Sequence, residues 1–366
     1  MFCRKRLTLA RERRGLTGRQ LSELSGINAV TISRLESGPT ESPSSDTLAR
    51  LAQTLNYPEA FFFKEAPEQL QTDIVSFRSM KKMNAAQRNA ALWAGSLGLE
   101  IYDWLEQEYY LPKPSLPDLR LIGDAETAAS HLRQEWALGD RPIGNVLRLL
   151  ESKGVRILSL EEKNKSIDAF SFWRNERPFI FLNTFKTPER SIFDCGHELG
   201  HLVLHKHGDL PKSGRSKSNN GSESEEIDAD RFASAFLMPE HDVKAVIPRN
   251  FINARRIIDA KKRWKVSAMA LTRRLHRLKM LSDWQYRTLC IDLSRSGYRT
   301  SEAEGIERET SVVWDKVLKD MWSRKMTKED LARHLNMPHD EVEKLVFGLV
   351  GKIAAPEKSK RHLTVV

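Results

Sequence analysis

Cysteine is scarce in this chain. Cys3, Cys195 and Cys290 are the three in 366 residues, far apart and odd in number. That spacing excludes a disulfide framework, and no C-x-x-C pair offers a thiolate metal site. A reducing cytoplasm is the expected location. Long apolar runs are missing too. No stretch approaches the roughly 20 residues that span a bilayer, so no membrane partner is expected. The opening Met-Phe-Cys-Arg-Lys-Arg is basic, but no apolar region follows it, and no secretory signal is expected. No internal repeat or low-complexity tract is evident apart from a polar stretch at 208–224.

Acidic residues are outnumbered, 49 against 59 basic ones, for a net charge of +10. Residues 241–300 hold 15 Lys and Arg against 4 Asp and Glu, so that stretch alone accounts for the excess. It reads as a surface for a polyanion, nucleic acid first. The alternative is a set of solvated helix faces. Hydrophobic content is 40%, enough to give two or three domains their cores.

The first 65 residues predict five short helices. Arg6–Arg14 is the first. Thr17 caps Gly18–Ser25, and Gly26 stops it; Asn28 then caps Ala29–Glu36, which Gly38 ends. A helix, a tight Gly turn and a second helix make a helix-turn-helix. The run Leu16-Thr-Gly-Arg-Gln-Leu-Ser-Glu-Leu-Ser-Gly-Ile-Asn-Ala-Val-Thr-Ile-Ser-Arg-Leu-Glu-Ser-Gly38 resembles the Xre-type DNA-binding domain. Leu21, Leu24, Ile27, Ile32 and Leu35 are the apolar positions expected to lock its helices together. The resemblance implies that Asn28, Ala29, Val30, Thr31 and Arg34 face the major groove and that Gln20 touches phosphate. Ala29 and Val30 offer no hydrogen bonds, so base reading would rest on Thr31, Arg34 and thymine methyl contacts. Some domains of this type serve only as protein-interaction modules.

Residues 66–120 read as a helical linker, with one long helix over 84–110 ended by Leu111-Pro-Lys-Pro-Ser-Leu-Pro117. A third segment, 121–245, opens with helices near 124–138 and 143–153. Short β-rich runs follow at 155–160, 167–173 and 179–183, the last two a hairpin. Thr187 and Pro188 then start a helix. On it His197-Glu-Leu-Gly-His201 sets two imidazoles one turn apart on the same side, a grip for one zinc ion. Glu198 between them is placed to act as general base. A strand beside such a helix suits a peptidase, because an extended peptide adds to a sheet edge.

Zinc needs a third protein ligand and an open position. His207 stands ten residues after His197, the metzincin spacing, but Leu204 occupies the place where that pattern needs glycine to turn. Glu226 opens a later helix whose apolar face is Ala229, Phe232, Ala233, Phe236 and Leu237. Asp230, four residues on, shares a side with Glu226 and could hold a ligand histidine by its other nitrogen. The runs His197-Glu-Leu-Gly-His-Leu-Val-Leu-His205, Glu226-x-x-Ala229-Asp230-x-Phe232-Ala233 and Leu237-Met-Pro239 resemble the ImmA/IrrE zinc metallo-endopeptidases. That resemblance implies His197, His201 and Glu226 as Zn2+ ligands and Glu198 as catalytic base. It also implies a protein substrate, a transcriptional repressor or similar regulator. Asp230 stands where the family often has Asn. Cys195, so near His197, raises the question of a thiol at the metal; a buried small hydrophobe is the alternative. His205 is either a donor facing the cleft or a surface residue.

The last third, 246–366, reads as a basic helical region. It holds helices near 266–280 and 284–294, a second helix-turn-helix-like unit at 326–346, and a flexible tail from Pro356. The would-be reading helix of that second unit is acidic, which suits packing or docking better than phosphate. The expected fold is α+β and mostly helical: a five-helix DNA-binding domain, a small mixed zincin-like domain with a short sheet, and a helical C-terminal region. The expected function is a DNA-binding transcriptional regulator fused to a zinc endopeptidase, with a homodimer as one candidate assembly. The rival is a non-proteolytic Xre-family factor or antitoxin-like regulator whose metallopeptidase fold senses a ligand or partner.

Overall fold

The computed structural model describes residues 1–38, 42–70, 84–160, 169–205, 219–248, 252–299, 301–302 and 304–351, with backbone alone at 219–222. His207 and the tail from Pro356 lie outside them. Four helices open the chain: α1 (Arg4–Arg13), α2 (Gly18–Ser25), α3 (Ala29–Ser37) and α4 (Ser45–Leu55), with a 3-10 turn at Glu59–Phe63. Thr17 and Gln20 form a reciprocal capping box at α2, and Asn28 accepts the Val30 amide at α3. Leu21, Ile27, Ile32 and Leu35 are buried as the pattern requires. Leu24 is not: it is 64% exposed, because α2 turns Leu21 and the Ser22 and Ser25 hydroxyls inward and Leu24 falls outside that arc.

The stretch expected to be a linker contains the helix with the longest unbroken buried run among the described residues. Helix α5 (Ala85–Glu108) buries an unbroken run from Ala90 to Leu99. A helix apolar on all sides belongs in a core, not between domains. Gly98 lets it lie close on the sheet, since a Cβ there would come within 2.6 Å of Phe181 Cζ.

Helices α6 (Ala125–Glu135) and α7 (Val146–Ser152) lead into the sheet. Its strands are β1 (Arg156–Leu160), β2 (Ala169–Arg174) and β3 (Arg177–Asn183), in the order β1-β3-β2. β1 runs parallel to β3, and β2 pairs antiparallel with it through a two-residue turn at Asn175 and Glu176, both at positive φ. The pleat divides the molecule. Leu158, Leu160, Phe170, Phe172, Phe179 and Phe181 face α5 and share one core with the N-terminal helices. Ile157, Ala169, Trp173, Ile180 and Leu182 face the other way, into a second core built on α8 (Pro188–Leu204) and α9 (Asn219–Leu237). Residues 219–224, expected as part of the polar stretch, are helical: they are the first turns of α9.

Seven described helices follow α9: α10 (Glu240–Val246), α11 (Ala254–Trp264), α12 (Ala268–Arg277), α13 (Asp283–Arg295), α14 (Val312–Ser323), α15 (Lys328–His334) and α16 (His339–Val346). No described helix is long and apolar enough to cross a membrane.

An internal repeat does exist. Residues 14–38 align without a gap on residues 324–348, 310 positions on, although few residues are identical: Arg14 with Arg324, Thr17 with Thr327, Leu21 with Leu331, Leu35 with Leu345 and Gly38 with Gly348. The local structure repeats with them. α1 and α14 end at equivalent residues, and α2 and α15 begin at equivalent residues, as do α3 and α16. Both copies carry a capping box, and both have positive φ at matching turns, Gly15 with Lys325 and Gly26 with Asn336. Buried positions match as well: Ile27 with Met337 and Ile32 with Val342. The second copy packs against the first and against β1, where the Ser159 hydroxyl donates to the Lys344 carbonyl.

Candidate metal centre and nucleic-acid face

Helix α8 starts as its sequence requires. Thr187 accepts the Arg190 amide, Pro188 occupies the first turn, and Glu189 is buried against Lys261 of α11. Ile192, Cys195, Leu199, Leu202 and Val203 bury one side of it. α9 crosses that helix closely because small residues meet: a Cβ at Gly200 would lie 3.2 Å from Ala229 Cα and 3.2 Å from Phe232 Cδ1. This approach brings Glu226 to the histidines.

His197 Nε2 and His201 Nε2 are 3.1 Å apart. Glu226 stands 3.3 Å from the first through Oε2 and 3.5 Å from the second through Oε1. Tetrahedral zinc with bonds of about 2.0–2.1 Å spaces its ligand atoms about 3.3 Å apart, so the two Nε2 atoms and the Glu226 carboxylate outline one face of such a site. Two imidazoles and a carboxylate are also a donor set that zinc takes. Among the described residues this is the one group of three or more such side chains able to hold a metal ion.

Each histidine is held from behind. His197 Nδ1 lies 3.0 Å from Asp230 Oδ1, and His201 Nδ1 lies 3.0 Å from His205 Nδ1. An imidazole that offers Nε2 as a ligand keeps its proton on Nδ1, so His197 then donates to Asp230 and His201 to His205. Without a metal, burial pulls the His197 pKa down, but the bonds to Asp230 and Glu226 outweigh it and leave it at about 10. Burial pushes Glu226 up, and the two histidines overcome that and hold it well below the usual carboxylate range.

Glu198 is buried on the sheet side of α8, and its Oε2 accepts a 2.6 Å hydrogen bond from Ser171 Oγ of β2. Trp173 Nε1 donates to the Leu202 carbonyl at 2.9 Å and ties the same strand to the same helix. Cys195 is fully buried in the second core, and burial drives its thiol pKa well up, so it is the small hydrophobe of the two alternatives. His205 backs His201, a role that neither alternative anticipated; its spacing four residues after His201 was the available signal.

On the N-terminal helix-turn-helix, Gln20, Asn28, Ala29, Val30, Thr31 and Arg34 are all exposed. The Asn28 and Gln20 side-chain oxygens are occupied with caps, which leaves their amide N–H groups to face outward. The basic stretch 241–300 divides in two. Lys261, Lys262, Arg263, Lys265 and Arg274 are spent on ion pairs inside the protein, Lys261 and Arg274 at buried sites. Arg255, Arg256, Arg273, Lys279, Arg287 and Arg295 point to solvent.

The fold and the site define a helix-turn-helix protein with a metallopeptidase-like centre. Comparison with protein families agrees on both halves. Residues 7–62 match the helix-turn-helix family, and residues 150–276, which include the sheet and the whole metal centre, match the peptidase family described as the IrrE N-terminal-like domain. The chain thus joins a segment similar to helix-turn-helix domains to one similar to the IrrE N-terminal-like domain. A search of curated proteins finds no match.

Proposed function

We propose that the protein is a cytoplasmic transcriptional regulator that binds duplex DNA through α2 and α3 and cleaves a regulatory protein, such as a repressor, in a stress or mobile-element response. The observation that carries the reading is the convergence of His197, His201 and Glu226 from two helices, with Glu198 on the adjoining turn. Zinc bound there supplies a Lewis acid and lowers the pKa of water. Asp230 and His205 hold the two ligand rings in the required tautomer. Glu198 takes a proton from the attacking water and passes it to the leaving amine. Thr31 and Arg34 read bases, Val30 meets thymine methyl groups, and the Gln20 amide contacts phosphate. The outward arginines of α11 to α13 are a second candidate surface for nucleic acid.

The test incubates the zinc-loaded full chain with repressors encoded beside its own gene. Wild type cleaves one of them; Glu198→Gln binds zinc equally well and does not cleave; His201→Ala binds no zinc. If wild type and Glu198→Gln leave every repressor equally intact while DNA binding persists, the non-proteolytic regulator is the better reading.

A further inference from the structure

We propose that Ser171 is a positioning residue, one that holds the Glu198 carboxylate in the orientation its proton transfer needs. The inference rests on the reading of Glu198 as general base. Strand β2 sends Ala169, Ser171 and Trp173 toward α8 and Phe170 and Phe172 toward α5. Ser171 is thus a hydroxyl flanked by apolar residues of the strand, and it is 1% exposed. A buried hydroxyl is costly unless it is bonded. This one donates to Glu198 Oε2 at 2.6 Å, in the short range of a bond to a charged acceptor.

The geometry separates two tasks. The ligand rings are braced from the helices, His197 by Asp230 of α9 and His201 by His205 at the end of α8. The carboxylate of Glu198 is braced from the sheet. A glutamate side chain turns about three bonds, and a tie at Oε2 removes most of that freedom while the proton goes to Oε1. The Ser171 hydroxyl reaches the base, so its loss should disturb Glu198 and spare the metal. Nor does Ser171 alone hold β2 to α8, because Trp173 bonds to Leu202 as well. An alanine variant should therefore fold.

The experiment uses the zinc-loaded full chain and acetohydroxamic acid, a zinc chelator whose acid proton is taken up by a neighbouring base. Ser171→Ala weakens acetohydroxamate binding about tenfold, as loss of a hydrogen bond to a charged group does. Its zinc affinity stays within about twofold of wild type. Ser171→Thr, which keeps the hydroxyl, restores binding. In a Glu198→Gln background Ser171→Ala has no further effect, because the group it positions is gone. The proposal is overturned if Ser171→Ala binds the probe as wild type does, weakens it equally in the Glu198→Gln background, or loses zinc in parallel. If Glu198→Gln itself binds the probe as wild type does, the base reading fails and takes the proposal with it. An effect of Glu198→Gln without one of Ser171→Ala rejects Ser171 alone.

Discussion

Arg13 Nη2 and Glu341 Oε2 are 328 positions apart in sequence and 2.6 Å apart in space. Glu341 is fully buried and also meets Arg14 and the Tyr57 hydroxyl, while Arg14 forms a two-pronged pair with Asp340. By the internal repeat, Asp340 and Glu341 occupy the places that Val30 and Thr31 hold in the first copy. The first copy turns those positions outward; the second spends them on gripping the first. Its acidic helix is a clamp, as its charge suggested, and it ties the end of α1 and Tyr57 to the second copy.

Breaking that clamp should cost more than a surface ion pair. Glu341→Gln removes the buried counter-charge that Arg13 and Arg14 share, and a loss of about 3 kcal/mol is expected. Urea or thermal denaturation measures it. A loss below about 1 kcal/mol would mean that the arginines find water or another acceptor.

The same clamp carries a pH dependence at its rim. Burial raises the Asp340 pKa, but hydrogen bonds from Arg14 and Lys344 outweigh it and hold it at about 2, against an ordinary 3.8. A carboxyl with a depressed folded-state pKa stabilises fully above its unfolded value and loses that contribution as pH falls toward the folded one. Stability should therefore drop between about pH 4 and 2 by an amount that Asp340→Asn lacks. Thermal melts of both proteins across that window give the answer, and parallel curves would reject it.

The close crossing of α8 and α9 makes a sharper test of how the metal centre is assembled. Gly200→Ala places a methyl group 3.2 Å from the Ala229 backbone, which can yield only if α9 shifts and takes Glu226 with it. A loss of about 1–3 kcal/mol and weaker zinc binding are expected. Gly196→Ala is the control: its added carbon meets Ala233 and Leu237 side chains at an ordinary 3.4 Å. Zinc titration of the two variants should separate them, and equal behaviour would argue against the close approach as the determinant.

DNA reading should reside in one copy of the repeat. Arg34 is exposed on α3, whereas its counterpart Lys344 is half-buried and pairs with Asp340. Arg34→Ala should weaken binding to an operator recovered by in vitro selection by about 1–3 kcal/mol. Lys344→Ala should leave that affinity unchanged. Binding curves at fixed salt distinguish the two, and a matching loss at Lys344 would place DNA on the second copy as well.

The caps, turns and apolar spacing of α1 to α4, the hairpin and the start of α8 were all legible along the chain, because each depends on residues within about one helical turn or one hairpin. So were the metal-binding residue types, since His197 and His201 are neighbours on one helix by geometry alone. Leu24 misled, because a short helix has several apolar arcs and only its partners select the buried one. The linker misled for a related reason: the apolar surround of α5 was visible, but the elements that cover it come from both ends of the chain. The repeat showed along the chain only as a second helix-turn-helix-like pattern at 326–346, because turn geometry and buried positions preserve it while identical residues are few.

By itself the sequence determined which segments are helix or strand and which side chains have metal-binding and base-reading chemistry, because those properties are set by local sterics and by the functional groups themselves. Tertiary structure alone decided that Glu226 reaches the histidines, that Ser171 meets Glu198, that part of the basic stretch is neutralised within the protein, and that a second helix-turn-helix clamps the first. Those outcomes depend on how closely whole elements approach, and that distance is a property of two packed surfaces rather than of either segment alone.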